Sequence, residues 1–317
     1  YCQTAKIRVD NQDTQDIKIQ RGVRQGCVLS PLLFNVYSEA VFQEALSNSI
    51  EGISINGEVL NNLRFADDTV IITDNNNDLQ NVMQRLNERC HEYGLKMNLK
   101  KTKCMIITKS AQVNIQLTIE DTVIESVDNY KYLGTWITSN VDQTKEIKTR
   151  IEIACASFIK LKKFLCCQDI RLELRLRMLR CYVFSTLLYG LEAWTLKQVH
   201  LNKLAAFEFW CYRRILRISW IQRMSNVEVT RRIGNQPEII LTIKRQKLEY
   251  LGHVMRGQKY SLLQLVMQGK IRGKRNVGRR RTSWLKNLRE WFECSSAELF
   301  RAAVNRVRIA MMISNLR

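Results

Sequence analysis

A chain of 317 residues with 45% hydrophobic and 25% charged content can bury a sizeable core, hold two or three domains, and is not a disordered polyelectrolyte. It has no Met at position 1, no apolar block behind a basic start and no long uncharged apolar run, so no secretory or membrane signal is visible and an intracellular protein, nuclear or cytoplasmic, is expected. The net charge of +20 is unevenly spread: residues 1–140 carry 14 Lys and Arg against 17 Asp and Glu, residues 141–317 carry 36 against 13. A basic surplus confined to one region reads as a polyanion-binding surface, with a merely solvated helical face as the alternative. Ten cysteines sit within apolar patterns and form no CxxC, and three histidines are too few for a zinc knuckle, so reduced, buried thiols are expected.

In chain order, loose alternation from Lys6 to Gln20 around Asp10-Asn11-Gln12-Asp13 predicts a β-hairpin. Ser30-Pro31 reads as a capped helix start, with Leu33, Phe34, Tyr37, Val41 and Leu46 as its apolar face. Asn56-Gly57 inside Ile53–Leu60 is a hairpin turn signal. A second hairpin has Phe65-Ala66-Asp67-Asp68 at its tip, between Leu60–Arg64 and Thr69–Thr73. Leu79, Val82, Met83, Leu86, Cys90 and Tyr93 recur at helical spacing up to Gly94. A strand is expected over Cys104–Thr108 and a short strand pair over Tyr130–Thr138. Past residue 141 the pattern is helical throughout, over Ile147–Leu165, Leu172–Leu188, Leu201–Leu216, from Pro237 toward Met255, and around Trp284, Leu285, Leu288 and Trp291. The change of pattern coincides with the change of charge, which sets expected domains at 1–140, 141–235 and 236–317 in an α+β chain.

Adjacent aspartates on a tight turn offer oxygen ligands to hard divalent cations, and two such cations about 4 Å apart can stabilise the attacking and leaving oxygens of nucleotidyl transfer. Asp also favours turns for backbone reasons, so four residues by themselves do not separate a metal site from an acidic turn. Upstream, Gln25-Gly26 precedes the helix start at Ser30; Gly permits close backbone approach and a helix N-terminus favours phosphate, while a loop needing one flexible residue is the alternative. The arginines at 171, 175, 177 and 180, and those at 213, 214 and 217, cluster on two expected helices and suit phosphate contact, which needs charge without base readout. Lys270–Arg281, including Arg279, Arg280 and Arg281, is a basic, glycine-containing stretch.

The order Gly22-Val23-Arg24-Gln25-Gly26-Cys27-Val28-Leu29-Ser30-Pro31-Leu32-Leu33-Phe34-Asn35 followed by Phe65-Ala66-Asp67-Asp68 resembles a reverse transcriptase. More narrowly it resembles the polymerase of non-long-terminal-repeat retrotransposons, strongly over Ile19–Gly134 and more weakly beyond; group II intron proteins and telomerase share the logic but less of this order. The resemblance implies a partial polymerase palm, an antiparallel sheet with packed helices, followed by a helical thumb-like region and a basic helical C-terminal region. It implies Asp67 and Asp68 as catalytic, metal-holding carboxylates for Mg²⁺ or Mn²⁺, and Phe65 and Ala66 beside them at the nucleotide and template site with Gln25 and Gly26. Within Asn98-Leu99-Lys100-Lys101-Thr102-Lys103 it points to Lys101 near the incoming triphosphate, an ordinary exposed Lys being the alternative. Tyr132-Leu133-Gly134 resembles the segment that grips the primer end, with a plain core strand as the alternative. Leu251-Gly252-His253-Val254-Met255-Arg256 and the Lys270–Arg281 stretch resemble segments near the end of such elements, and His253 is read as structural.

The implied partners are an RNA template, a DNA primer and deoxynucleoside triphosphates, with no membrane. The resemblance also requires a further aspartate on a strand ahead of Gln25, and Asp10, Asp13 and Asp16 lie in or beside a hairpin turn without that strand's apolar setting. The expectation is therefore a C-terminal part of an RNA-directed DNA polymerase, lacking N-terminal fingers, palm and endonuclease portions and polymerising poorly alone. The alternative is a non-catalytic nucleic-acid-binding remnant of a retroelement.

Overall fold

The computed structural model describes residues 3–19, 22–24, 26–47, 49–108, 116–269 and 283–316. Gln25 and Arg279, Arg280 and Arg281 lie outside the described residues. The chain divides into two compact units, Tyr1–Cys104 with Asn114–Ser126 and Met105–Val113 with Val127–Arg317. The strand pair carrying Tyr132-Leu133-Gly134 thus lies with the helices.

The first unit opens with nested antiparallel pairs, β1 (Gln3–Ala5) with β4 (Ile17–Ile19) and β2 (Arg8–Val9) with β3 (Gln12–Asp13). Asp10 and Asn11 turn the chain with φ of 48° and 64°, left-handed values that Asx residues tolerate and that match the twist of paired strands. Helix α1 (Ser30–Leu46) follows, but Ser30 is not its cap. Leu29 takes that position without a side-chain bond, and the Ser30 hydroxyl instead donates backward to the Arg24 carbonyl at 2.7 Å. The expected apolar face is buried only in its second half: Val41 is fully buried, whereas Leu33 and Tyr37 are 55% and 42% exposed.

Two hairpins come next, β5 (Ile53–Ile55) with β6 (Glu58–Leu60) around Asn56-Gly57, and β7 (Asn62–Phe65) with β8 (Asp68–Ile71). Helix α2 (Asn76–Glu92) starts where Asn75 Oδ1 accepts from the Asp78 amide, a cap the sequence reading did not single out. The hairpin β9 (Leu117–Ile119) with β10 (Thr122–Ile124) was not anticipated either, and the strand expected over Cys104–Thr108 reduces to one parallel bridge between Cys104 and Ser126. Val41 and Ala45 of α1 pack with Leu86 and Cys90 of α2, and Met83 packs with Leu117, Ile119 and Ile124; Ile71 and Met97 belong to both groups. Among the described residues each strand pairs with one partner, so the antiparallel structure consists of separate two-stranded ladders where one sheet was expected. Strands of two to four residues are too short to hold a wide sheet.

The second unit contains β11 (Asn129–Tyr132) with β12 (Thr135–Thr138), then helices α3 (Thr144–Lys160), α4 (Lys162–Leu165), α5 (Leu172–Met178), α6 (Ser185–Leu188), α7 (Gln198–Ile215) and α8 (Asn226–Ile233). A π-helical turn over Leu179–Phe184 joins α5 to α6. These helices surround a core that includes Phe158, Leu165, Leu179, Leu187, Leu204, Tyr212 and Ile215. Helix α9 (Ile239–Arg256) begins two residues after Pro237, and its first amides are satisfied from elsewhere: the buried Glu208 carboxylate of α7 accepts from Glu238 N at 2.5 Å, from Ile239 N at 3.3 Å and from the Tyr212 hydroxyl at 2.8 Å. Helices α10 (Ser261–Gln268), α11 (Trp284–Phe292), α12 (Ser296–Val304) and α13 (Arg306–Ser314) complete it, with Leu248 and Leu251 of α9 packed against Leu288, Leu299 and Ile309. Lys247 is wholly buried there, donating to the Trp194 carbonyl at 2.8 Å and Asn287 Oδ1 at 3.1 Å beneath the rings of Trp284 and Trp291. None of the nine cysteines among the described residues forms a disulfide. No helix among the described residues is long and apolar enough to cross a membrane.

Candidate functional site

Phe65 pairs with Asp68 in the β7–β8 register, so the loop between the strands is two residues, Ala66 and Asp67. Ala66 has φ of 53°. For a residue with a Cβ that left-handed conformation costs about 1–3 kcal/mol and persists only where surrounding structure fixes it. The fastening is Arg64: its Nη2 lies 2.7 Å from the Glu39 carboxylate of α1, and its guanidinium sits 4.7 Å from the centre of the Phe42 ring. Ile71 anchors the other strand in the α1–α2 core. The tip left in solvent holds Asp67 and Asp68, both exposed, and Phe65, 64% exposed. Among the described residues no side-chain hydrogen bond or ion pair engages either carboxylate.

The donor chemistry fits a hard cation. Mg²⁺ is commonly held by one or two carboxylates together with substrate phosphates and waters, which is the count this tip offers. Among the described residues no group of three or more His, Cys, Asp or Glu is placed to hold a metal ion.

The same helix carries the second predicted segment at its head. Gly26 has φ of 85°, and a Cβ there would meet nothing within 4 Å, so the position needs Gly for its backbone and leaves open space above it. Cys27 stands beside it, exposed, its thiol pulled below its ordinary range chiefly by hydrogen bonding to the Leu29 backbone. The unpaired amides of a helix N-terminus in general favour negative charge. Lys101 closes a tight turn, its amide donating to the Asn98 carbonyl at 3.0 Å, and its side chain is exposed; Lys103 is tied to Glu125. Leu99 and Met97 bury the stem of that turn in the cluster that also holds Ile71.

In the second unit Tyr132 pairs with Thr135, which makes Leu133-Gly134 a two-residue turn with φ of 46° and 78°. Three side chains from the helices hold it. Arg150 Nη2 donates to the Gly134 carbonyl at 2.6 Å, Arg150 Nε donates to Glu146 Oε1 at 2.5 Å, and Glu146 Oε2 accepts from the Trp136 amide at 2.7 Å. The Tyr189 hydroxyl donates to the Leu133 carbonyl at 3.2 Å, and the Arg150 guanidinium lies 4.6 Å from the centre of the Tyr189 ring. Glu146 and Arg150 are 1% and 7% exposed. Sequence reading missed all three, because an i, i+4 Glu and Arg on a helix also reads as a surface pair.

The predicted arginines separate. Arg171 and Arg214 are exposed, and Arg214 stacks over Trp210 at 4.3 Å. Arg213 is half-buried and donates to the Met224 carbonyl at 3.0 Å and Asn226 Oδ1 at 2.8 Å. Arg175 is a correction: it is 8% exposed and donates to the Ile215 carbonyl at 3.0 Å, closing the last turn of α7. Carbonyls at a helix end need donors, and a buried Arg serves that need in place of phosphate. Arg180 pairs with Glu238 at 2.8 Å, and His253 bonds the Tyr260 hydroxyl at 2.9 Å, a structural contact as expected.

Residues 1–137 match the profile of the family described as reverse transcriptase (RNA-dependent DNA polymerase). Those residues belong to the reverse transcriptase family. Similarity extends into the helical unit: the chain is 29% identical over 242 residues to a transposon-derived protein of Caenorhabditis elegans, covering 74% of this chain and 86% of that one. It is 22% identical to the RNA-directed DNA polymerase from the mobile element jockey of Drosophila funebris, over 66% of this chain and 23% of the relative. It is 33% identical to the Pol polyprotein from the retrotransposable element R2 of Nasonia vitripennis, over 37% of this chain and 12% of the relative. The chain thus spans a quarter or less of these two element proteins, and it is similar to non-long-terminal-repeat retrotransposon reverse transcriptases, a family that generally uses divalent metal ions.

Proposed function

We propose that this chain provides the metal-holding hairpin, the primer-contacting turn and the helical nucleic-acid-binding part of an RNA-directed DNA polymerase of a non-long-terminal-repeat retrotransposon. The observation that carries the proposal is the Asp67-Asp68 tip, where two solvent-facing carboxylates without side-chain partners are fixed to α1 through Arg64 and Glu39. Asp67 and Asp68 would hold Mg²⁺ or Mn²⁺, which when bound would supply charge neutralisation at the triphosphate and lower the cost of deprotonating the primer 3′ hydroxyl. Phe65 and Ala66 form the floor beside the reacting groups. Gly26, with Gln25, and the head of α1 receive template and nucleotide phosphates, and Lys101 adds positive charge for the deoxynucleoside triphosphate. Tyr132-Leu133-Gly134 positions the primer end as the palm's last strand pair, in a turn held by Glu146, Arg150 and Tyr189. The helices after residue 141 serve as thumb and basic C-terminal region, holding the RNA template and DNA product by their backbones through Arg171, Arg213, Arg214 and Arg279–Arg281.

The test is primer extension on an RNA template with Mg²⁺, using this chain and one extended upstream to include a further aspartate-bearing strand. Asp67→Asn in the extended chain should abolish synthesis with template binding nearly intact; retained synthesis would sink the metal assignment. A second reading, a non-catalytic nucleic-acid-binding remnant, is favoured by the concentration of positive charge in residues 141–317 and by similarity along 86% of a transposon-derived protein. Template binding without synthesis by either chain would select it.

A further inference from the structure

Helix α7 ends at Ile215 and α8 starts at Asn226, and the segment between them projects two large apolar side chains: Trp220 is 85% exposed and Ile221 78%. A Trp left in water is unfavourable unless it meets something, because its indole face is one of the largest apolar surfaces a residue can offer. The segment is built to hold it outward. Arg217 and Arg223 bracket it with φ of 55° and 43°, both left-handed. Between them Ser219 caps a short 3₁₀ turn, its Oγ accepting from the Ile221 amide at 3.4 Å. Arg213 of α7 closes the base through Met224 and Asn226, and Arg217 Nε donates to the Cys166 carbonyl at 3.0 Å, bringing the end of α4 alongside.

Along the segment itself the charge has one sign. From Phe209 to Val227 the chain carries four arginines, at 213, 214, 217 and 223, and no Asp or Glu. Lys162 and Lys163 of α4 are exposed on the neighbouring helix, and Arg214 is exposed over Trp210. An apolar protein partner would be served by the Trp and Ile alone. A partner carrying a flat π-face and a phosphate at every unit matches the whole set.

We propose that Trp220 is a stacking platform for an unpaired nucleobase of single-stranded nucleic acid, with Arg217, Arg223 and Arg214 taking the flanking phosphates. Duplex bases are already stacked and offer Trp220 no free face, so the site discriminates strand state and is indifferent to sequence. This extends the proposed nucleic-acid binding by the helical unit, and rests on it.

The experiment measures fluorescence anisotropy of labelled 12-mers of single-stranded RNA, single-stranded DNA and duplex DNA against the full 317-residue chain over a range of salt. Trp220→Ala should weaken single-strand binding roughly 5- to 150-fold with the salt slope and the duplex affinity unchanged, because stacking releases no counterions. Trp220→Phe should recover most of the loss, and Arg217→Ala with Arg223→Ala should flatten the salt slope. Equal loss on RNA and DNA assigns the site to any single strand, and loss on one alone assigns it to that strand; both support the platform. Unchanged single-strand binding by Trp220→Ala while the wild type binds tightly would overturn the platform and leave the basic helices standing. No binding of any 12-mer by the wild type would overturn the nucleic-acid reading of this unit together with it.

Discussion

Removing Arg150 is the sharpest probe of the second unit, because the consequence follows from what it leaves behind. Arg150→Met strips the Glu146 carboxylate, 1% exposed, of its cation and leaves it one donor, the Trp136 amide. It also frees the Gly134 carbonyl and removes the guanidinium from the Tyr189 ring. Breaking a buried ion pair by deleting one partner costs about 3–5 kcal/mol, since the survivor stays buried without compensation. At about 2–4 °C per kcal/mol for a unit of this size, the thermal midpoint should fall by roughly 6–20 °C. Glu146→Gln should cost a similar amount by stranding Arg150. The double variant should be more stable than either single one, because it buries no charge and the amide introduced by Glu146→Gln still offers an oxygen to the Trp136 N–H. Urea unfolding of the four proteins, followed by circular dichroism, gives the coupling energy directly, and about 2 kcal/mol or more is expected. Additive effects, or a cost below about 1 kcal/mol for Arg150→Met, would refute the clamp and return Glu146 and Arg150 to the status of an ordinary helix pair.

Two further outcomes test other parts of the chain. Burial pushes the Lys247 ammonium down to about 7 from an ordinary 10.5, so between those values the unfolded chain binds the extra proton and stability should rise with pH. The two oxygen acceptors and two indole rings around Nζ pull the other way, and since one group contributes at most about 1.4 kcal/mol per pH unit the net gain should be about 1–4 kcal/mol between pH 7 and pH 10. Lys247→Met should flatten that rise relative to wild type in urea unfolding at each pH, and parallel curves would show that Lys247 stays charged in the fold. Neutralising Arg279, Arg280 and Arg281 should weaken nucleic-acid binding across all sequences and lower the salt slope by about 2–3, as three lost phosphate contacts predict; an unchanged slope would make them solvated surface.

The hairpins at Asn56-Gly57, Ala66-Asp67 and Leu133-Gly134 are legible in the sequence because a two-residue turn between short apolar runs is a local signal, and each ladder depends on neighbours in the chain. Ser30 misleads because the Ser-Pro start of a helix looks the same whether the hydroxyl caps forward or, as here, donates backward to Arg24. Arg175 misleads for a related reason: helical spacing groups it with Arg171, but only packing reveals that its neighbour is the carbonyl end of α7. In the Trp220 segment the sequence marks Arg213, Arg214 and Arg217 as a basic cluster, but Arg223 and the Trp itself, in the same stretch without acids, carry a signal that spacing on a helix does not pick out. What no spacing rule could supply is the Glu146-Arg150-Tyr189 set, since its partners lie in a turn sixteen residues before Arg150 and fifty-six before Tyr189.

Ala66, Leu133 and Val141 are the described apolar residues that carry a side chain and a left-handed φ, at 53°, 46° and 56°. None has a side-chain oxygen with which to stabilise its own turn, as Asn56 or Asp10 does. Each is instead held by its neighbours: Ala66 through Arg64 on Glu39 and Phe42, Leu133 through Arg150, Glu146 and Tyr189, and Val141 through the Thr138 hydroxyl, which donates to Asn140 Oδ1 at 2.8 Å and accepts from the Asp142 amide at 3.0 Å. Strain of this kind survives only where the surroundings over-determine it. Two of these three turns present the residues proposed to meet metal and primer, and in both the conformation is imposed by charged side chains reaching from a helix. Those tips are therefore held from α1 and α3 as well as by the hairpins, so a substitution at Glu39 or Glu146, which touches no proposed substrate, should act on the proposed metal and primer positions by moving the turn.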